Sequence, residues 1–133
     1  MINGLYEAHS GWRYIVIVFL VVALVKYLIG IAAKQEWKGL DEFLGRYTPI
    51  VIDIQWLLGI ILWIVQQRWN GVDPLASFEH PVVMTLALVA GHIGWSRARK
   101  ATSSSAKFRA ALVGFLIAGL LVALGVARIT RVM

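Results

Sequence analysis

The feature that most constrains this chain is a long stretch with almost nothing for water to hold. From about Trp12 to Ala33 the only charged residues are Arg13 and Lys26. About 20 apolar residues in a row are what a helix needs to cross the hydrocarbon core of a bilayer. The rest of the chain follows the same bias, since 59% of its residues are hydrophobic and 15% charged, far from the balance of a soluble domain. The 133 residues suffice for several crossings but not for crossings plus a soluble domain. The expectation is therefore one integral membrane domain over 1–133. No cysteine is present, which excludes disulfides, iron–sulfur clusters and thiolate metal sites.

Caps and prolines divide the chain into four spans. The first, about 5–33, is opened by Asn3-Gly4 and carries His9 about a turn and a half inside. It lacks the basic leader and cleavage site of a signal peptide and is expected to stay in place. In the polar stretch that follows, Leu40-Asp41-Glu42-Phe43-Leu44 reads as a helical turn lying along the interface. Thr48-Pro49 reads as a cap and first-turn proline, opening a second span over about 49–67 with Asp53 a turn inside. Asn70-Gly71 is a turn signal, and Asp73-Pro74 opens a third span, about 74–98. His80 lies about two turns inside it, next to a tolerated Pro81. The polar link at 101–105 leads to a fourth span, about 106–127.

Four spans with short connections predict an all-α, up-down-up-down bundle. Lys34, Lys38, Arg46, Arg97, Arg99, Lys100, Lys107 and Arg109 gather near the first and third loops, against Arg13, Arg68, Arg128 and Arg131 at the other side. The positive-inside rule then puts those two loops in the cytoplasm and both termini outside it. This edging of membrane helices accounts for the net charge of +6 without nucleic acid. Trp12 and Trp69 at one face, with Trp37 and Trp95 at the other, are placed to form interfacial belts.

Spans one and three enter from the same side, so His9 and His80 are expected at one depth. If those spans are diagonal, the gap between them suits a metal in a macrocycle, with the two imidazoles ligating a haem iron. Met84, Ala87 and Gly91 follow His80 at helical spacing, and Arg13, Val16, Leu20 and Ala23 follow His9. Gly114, Ala118, Val122 and Gly125 form a similar stripe on the fourth span. Such stripes admit a flat ring or a neighbouring helix equally. Met84 lines the slot beside His80, and Arg13 can pair with a haem propionate or with Glu79. Near the cytoplasmic face, Lys26, Asp53 and His92 are expected at one depth. A Lys26–Asp53 ion pair is their simplest arrangement, and a quinone or proton site is their functional one.

His9-Ser10-Gly11-Trp12-Arg13, Asp53, Leu58-Gly59, Glu79-His80-Pro81 with Met84, Gly91-His92 and Lys107-Phe108 together resemble small bacterial four-helix membrane proteins labelled as b-type cytochromes. The resemblance spans most of the chain and departs from the family at Gly125-Val126-Ala127-Arg128, where relatives tend to end in proline-tryptophan. It implies one non-covalent haem b on His9 and His80, a bacterial plasma membrane location and electron transfer. The expected role is thus a membrane electron carrier, drawing on the quinone pool and passing electrons to an extracytoplasmic acceptor. The alternatives are a cofactor-free small subunit of a larger respiratory or photosynthetic complex, and a small transporter built on Lys26, Asp53 and His92. Nothing in the chain resembles a nucleophile–base pair, a phosphate loop or a thiol motif, so a carrier is expected before a stand-alone enzyme.

Overall fold

The computed structural model describes residues 2–71 and 74–132, leaving aside the side chains at 2, 75, 76 and 129–132. Asp73, read above as a cap, lies outside the described residues, as does the side chain of Arg131. Four long helices account for nearly all of it: α1 (Ile2–Ala32), α2 (Gly39–Val65), α3 (His80–Lys100) and α4 (Ser104–Val132). A 3-10 turn (Arg68–Asn70) and a π turn (Leu75–Glu79) lie between α2 and α3, and no strand occurs among the described residues.

Three stretches, Asn3–Ala32, Gly39–Val65 and Ser104–Arg128, are long and apolar enough to cross a bilayer. Of the four expected spans, the third helix is the one that is not apolar enough to count among these. It carries His80, His92, Pro81 and Thr85, and it ends in Arg97, Arg99 and Lys100. Polarity is concentrated in the helix that holds two of the three histidines.

The helices pack in chain order around a common axis: α1 against α2 and α4, and α3 against α2 and α4. This leaves α1 and α3 on the diagonal. Two hydrogen bonds join α1 to α2. The Tyr27 hydroxyl donates to the Asp41 carbonyl at 3.0 Å, and the Trp12 indole donates to the Val51 carbonyl at 2.9 Å. Val16, Leu20, Ala23, Tyr27, Ala87, Phe115, Ala118 and Val122 are almost wholly buried between the helices. Close fit between helices contributes to holding them together. The glycines supply it: a Cβ on Gly94 would lie 2.8 Å from Gly114 Cα, so α3 and α4 touch backbone to backbone.

One end of the bundle, which we call the basic end, is fastened by polar groups. Lys34, in a left-handed conformation (φ 52°), closes α1 in a Schellman arrangement, with Gln35 N–H donating to the Gly30 carbonyl at 2.9 Å. The Lys26 ammonium donates to Gln35 Oε1 at 3.0 Å and to the buried Asp41 carboxylate at 2.7 Å. Asp41 also accepts the Lys38 N–H that begins α2, at 3.0 Å. With Asp41 fixed in this way, the helix starts at Gly39 and runs straight through Thr48-Pro49. This corrects the expected start at 49: Leu40–Leu44 are the first turns of α2, and the Thr48 hydroxyl is buried without a partner. Pro49 is tolerated inside the helix. Its missing N–H would serve the carbonyl of Gly45, and that glycine is covered by the Trp95 ring, which a Cβ there would meet at 2.6 Å.

The expected tryptophan belts also change. Trp95 is buried, Trp37 stacks on Tyr27 with ring centres 5.3 Å apart, and Trp12 is partly buried, which leaves only Trp69 of the four exposed. Ser103 caps α4, its hydroxyl accepting Ala106 N–H at 3.1 Å.

Candidate functional site

The opposite end holds the histidines. His9 from α1 and His80 from the start of α3 meet across the diagonal, with ring centres 6.3 Å apart and planes at 88°. Each leans on a glycine of the next helix. A Cβ on Gly59 of α2 would lie 2.9 Å from His9 Cε1, and a Cβ on Gly125 of α4 would lie 2.8 Å from Met84 Sδ and 3.6 Å from His80 Nδ1. No side chain larger than hydrogen fits at either position without moving the site. Both Nδ1 atoms are buried without a close hydrogen bond, although the Gln55 backbone lies beside the His9 ring and the Gly125 backbone beside the His80 ring. Oε1 of Gln55, a residue only 5% exposed, is also unpaired. Unpaired buried polar atoms are costly, and all three belong to residues that line one space.

That space is a cavity of about 80 Å³, lined by His9, His80, Arg13, Gln55, Met84 and Arg68 among others. That is smaller than the about 300–1,000 Å³ typical of small-molecule and cofactor pockets, so a bound group would displace side chains from its walls. Val16, Trp56, Val122 and Val126 supply apolar wall. The stripes expected below each histidine are buried as well, Met84, Ala87 and Gly91 on α3 and Val16, Leu20 and Ala23 on α1.

Two local devices shape the start of α3. Pro81 has no N–H to offer the Ser77 carbonyl one turn back. The Trp63 indole of α2 donates to that carbonyl instead, at 2.9 Å. Two turns away on α2, the Trp56 indole donates to Thr85 Oγ1 at 2.9 Å, and Thr85 in turn donates to the Pro81 carbonyl at 2.7 Å. The pair of indoles thereby fixes the segment that carries His80 and its π turn, a winding often found at functional sites.

Charge converges on the same mouth. Arg13 and Arg68 both line the cavity, and among the described residues no carboxylate pairs with either. Arg13 lies over the Tyr14 ring at 5.1 Å. In the sequence Arg68 counts only as one of the basic residues at this face. It is turned over the pocket by a loop with left-handed residues on both sides, Gln67 (φ 55°) and Gly71 (φ 77°). Glu79, a proposed partner of Arg13, is taken by Arg128 in a two-pronged ion pair, one arm of which is a 3.1 Å hydrogen bond.

The second expected group does not assemble as a trio. Lys26 pairs with Asp41, not Asp53, because α2 starts ten residues earlier than the Thr48-Pro49 signal implied. Asp53 is therefore near the middle of α2, about 18 Å along the axis from Asp41 at 1.5 Å per residue. What remains is a pair: Asp53 Oδ1 lies 2.7 Å from His92 Nε2, on the outside of the bundle between α2 and α3.

The donor set limits what the cavity can hold. Among the described residues no three His, Asp or Glu side chains gather to bind a bare ion. Two imidazoles alone fit a metal whose other positions are filled by a macrocycle. His9 and His80 would be the residues to hold such a group. The observed ring separation is 6.3 Å. Comparison with protein-family models, with characterised proteins and with solved structures finds no match to this chain.

Proposed function

We propose that the protein is an up-down-up-down bundle of four spans in a bacterial plasma membrane, termini extracytoplasmic, that holds one haem b between His9 and His80 and carries electrons. The observation that carries this reading is the histidine pair, ring centres 6.3 Å apart with both Nδ1 atoms buried, in a cavity that Arg13, Gln55 and Arg68 also line. A haem bound there supplies reversible one-electron chemistry at iron. The chain's own part is to present two nitrogen lone pairs from diagonal helices and to exclude water with Val16, Met84 and Val122. Arg13 and Arg68 offer the cavity mouth two guanidinium groups suited to the two carboxylates of such a ring. The small b-type cytochromes that the sequence resembles would share this arrangement.

The test is the visible spectrum of the purified protein. A Soret band that shifts on dithionite reduction is expected, and His9→Ala and His80→Ala should each abolish it while His92→Ala leaves it in place. A colourless protein that cannot be reconstituted with haem would leave a cofactor-free membrane subunit as the better reading.

A further inference from the structure

The Asp53–His92 pair sits where a structural ion pair has least reason to be. Both side chains stay open to the surroundings, His92 at 45% and Asp53 at 39%. The neighbouring exposed residues on the two helices are Ile50, Ile54 and Leu57 of α2 and Val89 and Ile93 of α3, all large and apolar. Polar groups at mid-span cost a few kcal/mol to place in lipid, and they are normally turned inward to limit it. This pair is turned outward, between α2 and α3, the least tightly packed neighbours in the bundle.

We infer that Asp53 and His92 form a docking site for the headgroup of a lipid-soluble quinone or quinol, entered sideways from the bilayer. The inference rests on the membrane reading above but not on the haem. A quinone headgroup carries oxygen atoms that accept hydrogen bonds in one redox state and donate them in the other. An imidazole next to a carboxylate can meet both needs, His92 donating to a carbonyl oxygen and Asp53 accepting from a hydroxyl. The flanking isoleucine, leucine and valine side chains give the isoprenoid tail an apolar track. A second copy of the chain fits less well. A two-fold contact through this face would bring two such pairs together in an apolar interface, with no further polar group nearby to satisfy them. Lys26, grouped with these residues from the sequence, is not part of the site, being held by Asp41 and Gln35. Asp53 is six residues, about 9 Å of helix, from Gly59 behind His9. Trp56, one turn from Asp53 on the same helix, lines the histidine cavity.

The experiment is equilibrium binding of a decyl-chain benzoquinone to the protein in lipid nanodiscs. Wild type should bind it saturably at one site. Asp53→Asn and His92→Gln should each weaken binding at least tenfold, and Asp53→Leu/His92→Leu, which leaves a uniformly apolar face, should abolish it. Helix content by circular dichroism, and the Soret band if present, should be unchanged in all three. Wild-type affinity in the double variant would overturn the proposal, as would variants that change only the oligomeric state. A colourless protein that still binds the quinone through Asp53 and His92 would sink the haem reading and leave this one standing.

Discussion

Replacing Gly59 with alanine should raise helix stability and damage the site in the same molecule. Alanine is better than glycine inside a helix by about 1 kcal/mol. The added methyl, however, would lie 2.9 Å from His9 Cε1, against ordinary carbon contacts of about 3.5–4.0 Å. The overlap is thus on the order of 0.6–1.1 Å, and inserting a methyl into a packed site costs roughly 1–3 kcal/mol when nothing yields. His9 can yield by swinging away from α2, since it lines a cavity. Thermal unfolding in detergent should then change by less than about 1 kcal/mol, while haem affinity, followed by Soret titration, falls at least tenfold, or about 1.4 kcal/mol. Gly119→Ala and Gly11→Ala are the controls. A Cβ at the first meets only Leu24 at 3.6 Å and at the second meets nothing within 4 Å, so neither should alter the titration. If Gly59→Ala titrates like wild type, or Gly119→Ala is equally damaging, the argument that glycine holds His9 in place fails.

Trp63→Phe removes the donor that serves Ser77 beside Pro81 and should cost about 1–2 kcal/mol in thermal unfolding. Adding Pro81→Ala, which restores an N–H in the chain, should recover more than half of that loss. Lys26→Met leaves the Asp41 carboxylate buried without its cation and should destabilise by about 3 kcal/mol, and Lys26→Met/Asp41→Leu should regain most of it. Gly94→Val forces apart the backbones of α3 and α4 and should cost about 3 kcal/mol by the same measurement, with Gly119→Val costing far less.

The residues that could be placed from sequence were those whose position depends on counting along a single helix. His9 and His80 each lie a turn or two from a helix start, and the count put them at one depth wherever the neighbouring helices packed. The stripes below them, from Val16 to Ala23 and from Met84 to Gly91, were likewise matters of periodicity. What failed was the choice between competing local signals. Thr48-Pro49 is a strong cap signal, but the Asp41 carboxylate, fixed by Lys26 and the Lys38 N–H, starts the helix ten residues sooner. That one misplacement moved Asp53 away from the level of Lys26 and produced the wrong ion pair. Arg68 could not be placed over the cavity from sequence because its position there depends on left-handed backbone at Gln67 and Gly71, and only the glycine advertises such a turn. Trp95 read as an interfacial anchor because nothing in sequence pairs it with Gly45, fifty residues away in the chain.

The central claim is that His9 and His80 together grip one metal centre. Its most direct test is titration of haem b onto the purified protein while the spin state of the iron is followed. Saturation is expected at one haem per chain in a six-coordinate, low-spin form, with His9→Ala or His80→Ala, if it retains any haem, giving a five-coordinate, high-spin one. Saturation at any other stoichiometry, or a low-spin spectrum that survives loss of either histidine, would contradict it.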